Sequence, residues 1–273
     1  MTVMDLDTIF NRLWIDYTER NPSVKKIVDL FDREGEIIVN DHIAFRTLDY
    51  PAINIDVIAR PFIQQGYAAR GEYIFKDKHL FARHFEIPDN PAAPRVFISQ
   101  LILSEFSEKL QCLFRDSIDR QPPEKFDSAD LIFSGSMLKP LSHRIYNDLR
   151  EESEYAAWFY VFGFRANHFT ISVNALKKHN TILKVNQLLK ENSFLLNSSG
   201  GEVKGTSGDY LQQSSTMADI IPVEFEEGTF NIPSCYYEFA QRYTLPNGTL
   251  FGGFVAQSAD KIFESTDYHK KVR

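Results

Sequence analysis

Residues 36–48, with the sequence EIIVNDHIAFRTL, decide the architecture that this sequence predicts. From Glu36 the pattern of apolar side chains changes to a period of two around His42, which is typical of a β-strand. Successive side chains of a strand point to opposite faces, so His42 and Arg46 share one face while Ile43 and Phe45 share the other. The segment therefore predicts a strand with one apolar face and one polar face. The polar face, which carries His42 and Arg46, is a candidate functional surface.

The residues before this strand predict helices. Apolar side chains recur at steps of three and four residues between Leu6 and Tyr17, as they do on one face of an α-helix. A second helix is indicated by Asn21 as its N-cap, a proline at its first position and Gly35 as its stop. We therefore expect a helical region over residues 1–35.

A strand-helix-strands pattern follows this helical region and then repeats. The first module covers residues 36–115, and a connection over residues 116–164 contains an apolar helix near 145–163. The second module covers residues 165–265 and opens with FRANHFTISVN, a strand that places His168 after an asparagine. The echo of Asp41-His42 in Asn167-His168 indicates an internal duplication, which six residues alone leave open.

The remaining elements of the two modules follow from the same patterns. In the first module a short helix breaks near Pro61 and a later helix is capped by Ser104, and in the second a helix covers about 175–192. Further strands are expected at 67–76, 79–87, 94–103, 209–224, 230–243 and 249–257. The sequence thus predicts an α+β fold, in one domain over residues 1–273, whose two modules form a sheet behind N-terminal helices.

Composition excludes several classes of protein. The 273 residues include 37 acidic and 30 basic side chains, which leave a net charge of −7 with no run of five basic residues. A nucleic-acid-binding face needs clustered lysine and arginine, so we expect no nucleic-acid partner. The longest apolar run, residues 156–164, is about half as long as a membrane span requires, and charged residues interrupt the first 20 positions, unlike a signal peptide. We expect no membrane association.

The cysteine content predicts a compartment. Only Cys112 and Cys235 are present, which is too few for a disulfide framework and typical of a reducing cytosol. We therefore expect a cytoplasmic protein, and no protein partner is indicated by any motif.

Three strands carry a candidate metal site. His42 and His168 lead the polar faces of the two opening strands, and Glu238 is embedded among aromatic residues of a third strand. Two imidazoles and one carboxylate make up the facial triad that holds Fe(II) in many oxygenases. The alternative is that both histidines are hydrogen-bonded core residues and that Glu238 pairs with Arg242 or another arginine. Asp41 and Asn167 are expected to point away from their neighbouring histidines, because side chains alternate along a strand.

Four segments carry a resemblance to a known family. They are DHIAFRT, ANHFTISV, SSGGEVKGTSGDYLQQSSTMAD and IPSCYYEFAQRY. Together they resemble the 2-oxoadipate dioxygenase/decarboxylase family, Fe(II) enzymes whose fold is similar to the vicinal oxygen chelate superfamily. The resemblance extends from about residue 5 to residue 265. It implies a curved sheet of that type around a metal cleft.

The resemblance also implies a reaction and roles for individual residues. The family converts 2-oxoadipate and dioxygen to 2-hydroxyglutarate and carbon dioxide, so the implied partners are a small 2-oxo acid and dioxygen and the implied cofactor is Fe(II). By resemblance, the metal ligands are His42, His168 and Glu238, and Arg46 anchors a carboxylate of the substrate. A looser match near the C-terminus makes Gln257 and Ser258 candidate substrate-binding residues.

Two other functions are compatible with the same residues. One is a divalent-metal hydrolase or isomerase on the same scaffold, which would turn over without oxygen. The other is a non-catalytic binding protein derived from the enzyme, with no metal between the three strands.

Overall fold

The computed structural model describes residues 4–266, which form two compact units. Each unit is assembled from segments that are distant in the chain. The first comprises the residues up to Tyr17, Ala44–Asn167 and Ile221–Ile232. The second comprises Thr18–Ile43, His168–Ile220 and the residues from Pro233 onward.

Eight α-helices and nine strands are assigned within residues 4–266. The helices are α1 Leu6–Arg20, α2 Pro22–Arg33, α3 Ile55–Ile63, α4 Glu108–Asp119, α5 His143–Glu152, α6 Glu154–Phe162, α7 Ile182–Glu191 and α8 Ala256–Phe263. The strands are β1 Asn40–Leu48, β2 Ala68–Phe75, β3 Leu80–Glu86, β4 Arg95–Leu101, β5 Ala166–Ser172, β6 Leu211–Ser215, β7 Ile220–Phe225, β8 Gly228–Pro233 and β9 Glu238–Arg242. The α+β class and the N-terminal helices are confirmed.

The first unit contains strands in the order β2-β3-β4-β1, in which β2 and β3, and β3 and β4, pair antiparallel. Phe75 pairs with Leu80 across a tight turn, and Leu80 pairs in turn with Leu101. β1 is buried from Asp41 to Leu48, so its polar face is buried as well as its apolar face. The helix α6 is buried on all sides, since every side chain from residue 155 to residue 162 is buried.

The second unit contains strands in the order β5-β9-β6. β5 and β9 are parallel, and β6 and β9 are antiparallel. One face of these strands is apolar: the ring of Phe239 on β9 lies 6.2 Å from that of Phe31 on α2. Helix α7 covers the same face, where the amide of Ile182 donates to the side-chain oxygen of Gln241. The opposite face is left for polar side chains.

Several predicted boundaries are wrong. The helix predicted near 145–163 is divided at Ser153 into α5 and α6. The cap of α4 is Ser107, whose side chain accepts from the amide of Leu110, and not Ser104, which lies in a short 3₁₀ turn. Helix α7 begins at Ile182, because Thr181 is its N-cap. The strand predicted at 249–257 is instead an irregular segment that leads into α8.

No helix in the described part of the chain, residues 4–266, is both long enough and apolar enough to cross a bilayer.

Candidate metal centre

His42, His168 and Glu238 converge in the second unit, although they are far apart in the sequence. One donor atom from each lies within 4.8 Å of the other two, and all three side chains are buried. Nε2 of His168 is 3.1 Å from Oε2 of Glu238, and Nε2 of His42 is 3.6 Å from Oε1. Two imidazole nitrogens and one carboxylate thus form a compact donor set of the kind that holds a divalent metal.

The strand pairing explains how Glu238 reaches the histidines. In the parallel pair of β5 and β9, Thr170 lies opposite Glu238, and in the antiparallel pair of β9 and β6, Ser215 lies opposite it. Opposite residues share a face of the sheet, and His168 shares that face because it is two positions from Thr170. The hydroxyl of Thr170 is 3.1 Å from Nε2 of His42, which brings the β1 histidine to the same place.

Asp41 contacts its neighbour His42, and the prediction that it would face away is wrong. Its Oδ1 lies 2.8 Å from Nδ1 of His42. Alternation along a strand fixes only the direction of the Cβ atoms, and Nδ1 is the ring nitrogen closer to the backbone, so a short carboxylate on the preceding residue can reach it. Arg242 holds the carboxylate there, with Nε and one terminal nitrogen at 2.7 and 2.8 Å.

This contact determines which nitrogen of His42 carries a proton and which keeps a lone pair. Burial alone would raise the pKa of Asp41, but the charge of Arg242 and hydrogen bonds from His42 and Arg242 hold that pKa well below its usual range. A carboxylate accepts hydrogen bonds and does not donate them, so Nδ1 of His42 carries the proton. Nε2 then keeps its lone pair, which is the tautomer that a metal-binding imidazole requires.

Among the described residues, the ion pairs of Glu238 are with the two histidines and not with an arginine. Arg242, which the alternative interpretation of the sequence pairs with Glu238, binds Asp41 instead. Burial raises the pKa of Glu238 to about 8, against the hydrogen bond that the amide of Gln213 donates to its Oε1. Burying a carboxylate is costly unless a cation compensates it, and a divalent metal beside the two imidazoles would do so. The chemistry of this donor set therefore fits a metal ion.

Aromatic rings enclose the two histidines. The imidazole of His168 stacks on Tyr236 with a centroid distance of 4.8 Å, and the edge of Phe254 meets His42 at the same distance. The two imidazoles are themselves 5.5 Å apart and nearly perpendicular. These rings exclude water from one side of the donor set and hold both imidazoles in place.

Arg46 lies in the first unit and is buried there. Its guanidinium carbon is 4.9 Å from the ring centroids of both Tyr155 and Trp158 on α6. The hydroxyl of Tyr155 is fixed in turn, since it donates to the carbonyl of Ser99 at 2.7 Å and accepts from the amide of Thr47 at 3.0 Å. The positive charge is therefore held between two rings whose own positions are set by the sheet.

Comparison with known proteins decides the family. The sequence model of the 2-oxoadipate dioxygenase/decarboxylase family matches residues 9–139 and 127–251, most of the chain. The chain belongs to the 2-oxoadipate dioxygenase/decarboxylase family. The resemblance carried by the four sequence segments is thereby confirmed.

Individual members and a fold relative agree with this assignment. An Arabidopsis thaliana protein named "2-oxoadipate dioxygenase/decarboxylase, chloroplastic" is 38% identical and covers 92% of this chain and 74% of its own. The crystal structure of hydroxyglutarate synthase from Oryza sativa with 2-oxoadipate has a TM-score of 0.90 at 35% identity, covering 97% of this chain and 93% of that one. A protein of Ralstonia eutropha described as glyoxalase superfamily shares the fold alone, with a TM-score of 0.70 at 20% identity over 89% and 83% of the chains. The predicted vicinal-oxygen-chelate type of fold is confirmed.

Gln257 and Ser258, the two candidate substrate-binding residues near the C-terminus, both lie on α8 but differ in exposure. Gln257 is exposed, whereas Ser258 is buried. Ser258 lies close to Gly205, where an added Cβ would come within 2.9 Å of its hydroxyl. The glycine-rich segment that carries part of the family resemblance therefore packs against the helix with these two residues.

Gln213 is a residue of the site that sequence reasoning missed. It is buried on β6, and its amide reaches Glu238 because Gln213 pairs with Ala240, two positions along β9. The segment LQQSS shows alternating polar side chains, but only the pairing register tells which glutamine meets the carboxylate. Lys204 was also missed: it is buried, and its charge lowers the pKa of Glu238.

Proposed function

We propose that this member of the 2-oxoadipate dioxygenase/decarboxylase family is a non-haem Fe(II) enzyme that converts 2-oxoadipate and dioxygen to 2-hydroxyglutarate and carbon dioxide. The observation that carries the proposal is the buried donor set of His42, His168 and Glu238. The relative from Oryza sativa, whose structure contains 2-oxoadipate, supports the choice of substrate. The reaction balances with one dioxygen, since one oxygen atom enters the new carboxylate and the other enters the hydroxyl group.

The proposed metal ligands are His42 through Nε2, His168 through Nε2 and Glu238 through its carboxylate. Two imidazoles and a carboxylate suit Fe(II) and leave coordination positions open. When bound, iron supplies those positions for the 2-oxo acid and dioxygen, together with the redox chemistry of decarboxylation and hydroxylation. The protein's contribution is to hold the imidazole of His42 in one tautomer through Asp41 and to keep Glu238 oriented through Gln213.

Arg46 is the proposed anchor for a substrate carboxylate. A guanidinium binds a carboxylate through two parallel charge-assisted hydrogen bonds, which fixes the direction of the ligand as well as its position. The rings of Tyr155 and Trp158 restrict this side chain, so little conformational freedom is lost when it binds. In a protein with a net charge of −7, this buried cation is what attracts a dianion.

Ser258 and Gln257 are proposed to contact the substrate from α8. The buried hydroxyl of Ser258 can donate one hydrogen bond to a substrate oxygen, whereas the exposed Gln257 can act at the rim of the site. The aromatic rings of Phe254 and Tyr236 keep bulk water from the reacting groups, which limits side reactions.

The test is an oxygen-uptake assay with product analysis. Protein reconstituted with Fe(II) under reducing conditions should consume one dioxygen for each 2-hydroxyglutarate formed from 2-oxoadipate. Replacement of His42, His168 or Glu238 by alanine should abolish both iron binding and turnover. His84→Ala is the matched control, since His84 is a buried histidine of the first unit that hydrogen-bonds to Tyr73.

Three results would contradict the proposal. Turnover of the substrate under anaerobic conditions would indicate a metal-dependent hydrolase or isomerase instead. Full iron content in all three alanine variants would remove the proposed site, and an absence of metal in every preparation would indicate a binding protein.

We also propose that the enzyme works in a reducing compartment, the cytoplasm. Cys112 and Cys235 are not joined in a disulfide, and Cys112 is exposed, which suits a compartment that keeps thiols reduced. The Arabidopsis thaliana relative is named as chloroplastic, so fractionation of the native cell is the measurement that distinguishes the two locations.

A further inference from the structure

Arg242 and Asp41 form a buried ion pair behind the metal-ligand histidine. The guanidinium of Arg242 binds both carboxylate oxygens of Asp41, and each side chain is only 3% exposed. Asp41 in turn accepts a hydrogen bond from Nδ1 of His42. A two-point pair of this kind fixes the plane of the carboxylate, and therefore the direction in which it holds the imidazole.

The same guanidinium also holds the irregular segment before α8. Its remaining terminal nitrogen donates to the backbone carbonyls of Phe251 and Gly253, at 3.0 and 2.7 Å. Phe254, the next residue in that segment, lies under the guanidinium at 5.1 Å and places the edge of its ring on His42. Residues 251–254 therefore contact His42 directly through a ring and indirectly through Arg242 and Asp41.

We propose that Asp41 and Arg242 act as one positioning pair that couples segment 251–255 to the metal ligand His42. The pair sets the tautomer and direction of the imidazole, and the same guanidinium holds the loop that leads into α8. A disturbance at either end then reaches the other. The inference rests on the proposed function only in taking His42 as a ligand of Fe(II).

The contacts of Arg242 extend beyond Asp41. If the arginine served only to neutralise Asp41, one contact to the carboxylate would suffice. Instead its nitrogens are shared between a carboxylate on β1 and two carbonyls on the loop, which no lysine could reproduce from one point charge. The backbone of Arg242 makes two hydrogen bonds with the side chain of Asn174: its amide donates to Oδ1 and its carbonyl accepts from Nδ2. These bonds fix the end of β9 where Arg242 lies.

The test uses Asp41→Asn and Arg242→Lys, with Fe(II) affinity measured anaerobically by chelator competition and hydrogen exchange measured at the amides of residues 251–255. Asp41→Asn can present either an oxygen or an amide to Nδ1, so the tautomer is no longer fixed. We expect its Fe(II) affinity to fall by about 10- to 100-fold, the range found when the partner of a ligating histidine is removed. We also expect faster exchange at 251–255, although Asp41 itself does not carry that segment.

Arg242→Lys should also lower Fe(II) affinity and speed hydrogen exchange at 251–255. The change in exchange should be the larger of the two, because lysine keeps the positive charge but cannot reproduce the several hydrogen bonds of the guanidinium. Ser214→Ala is the matched control: Ser214 is a buried residue of β6 whose hydroxyl donates to Asn186 on the helix-covered face. It should lower stability without changing either Fe(II) affinity or exchange at 251–255.

Wild-type Fe(II) affinity in Asp41→Asn, or exchange at 251–255 that does not change with it, would overturn the proposal. If Asp41→Asn does not fold, Arg242→Lys provides the test. Unchanged Fe(II) affinity together with unchanged hydrogen exchange at 251–255 in Arg242→Lys would also contradict the proposal. Both measurements are made without substrate and oxygen. A protein that binds Fe(II) as described but does not turn over 2-oxoadipate therefore contradicts the proposed function and leaves this inference standing.

Discussion

At the scale of single residues, Glu36 shows how one buried carboxylate stabilises a turn. Its oxygens accept hydrogen bonds from the backbone amides of residues 177–179, at 2.6 to 2.9 Å, and from Nδ1 of His179 at 3.1 Å. Burial by itself would raise the pKa of Glu36, but these hydrogen bonds lower it to about 2. The charged form is therefore the one that the folded protein stabilises.

The pH dependence of stability follows from that lowered pKa. Its contribution is present above the ordinary value of 4.5 and is lost as the pH falls toward 2, because the unfolded chain binds the proton first. We expect Glu36→Gln to lower the free energy of unfolding at neutral pH by on the order of 2–3 kcal/mol. The difference from the wild type should shrink between pH 5 and pH 2, in denaturant titrations of metal-free protein.

Glu34→Gln is the control for this experiment, since the side chain of Glu34 is 38% exposed and its carboxylate lies 4.0 Å from Nζ of Lys178. It should change stability little at any pH. Parallel curves for the wild type and Glu36→Gln over the whole range would contradict the role given to Glu36.

The residues of the site also show how far sequence reasoning reaches. Alternation along a strand correctly put His168 and Thr170 on one face, and the family resemblance selected the histidines and Glu238 that the structure brings together. The alternation rule failed for Asp41. It predicts only the direction of the Cβ atom, whereas the carboxylate reaches Nδ1 of the adjacent His42 by its own length. Sequence reasoning missed Gln213, because the pairing register of β6 with β9 depends on contacts between residues that are far apart in the sequence.

At the scale of elements, Ser153 divides what the sequence predicts as one helix. Its amide donates to the carbonyl of Leu149 as the last bond of α5, and its hydroxyl accepts from the amide of Ala156 as the N-cap of α6. The backbone at this residue is extended, so α6 starts in a new direction. A periodic apolar pattern cannot reveal such a joint, because the buried α6 is apolar on every side.

A substitution at Ser153 distinguishes a joint from a continuous helix. If the cap is real, Ser153→Ala should destabilise the protein by about 1 kcal/mol, whereas Ser153→Asp should preserve stability because aspartate is also a good N-cap. Thermal or denaturant unfolding measures both. An increase in stability with alanine, a better helix former than serine, would instead indicate a continuous helix.

The strand predicted at 249–257 is the clearest wrong prediction at the scale of elements. Leu250, Phe251, Phe254 and Val255 give it the apolar character of a strand, yet two glycines separate the pairs. The carbonyls of Phe251 and Gly253 accept hydrogen bonds from Arg242, and Leu250 makes only an isolated bridge to Thr244. The two glycines are a local sign that the strand is interrupted, but the hydrogen bonds to Arg242 that hold the segment are tertiary and have no local signal.

At the scale of the whole molecule, the metal site belongs to one of the two units. His42, His168 and Glu238 come from three separate segments that all fall in the second unit. A ligand that binds only the folded state stabilises it, by about 2.7 kcal/mol when its concentration is 100 times Kd. Metal binding should therefore stabilise the pairing of β5 with β9.

We expect anaerobic addition of Fe(II) to raise the melting temperature of the chelator-treated protein and to slow hydrogen exchange in β5 and β9. His168→Ala should abolish both effects, because it removes one of the three donors. Calorimetry and hydrogen exchange with and without chelator provide the measurement. An equal rise in melting temperature in His168→Ala would place the stabilising metal elsewhere.

The position of β9 between β5 and β6 has a consequence for biosynthesis. Glu238 is translated long after His42 and also after both strands that flank β9. At roughly 5–20 residues per second, a ribosome needs on the order of 10–40 s to pass from one to the other. Since β5 and β6 are made first, the pairing of either strand with β9 must await the synthesis of β9. The complete donor set of the proposed metal site therefore exists only after Glu238 has been made, late in translation.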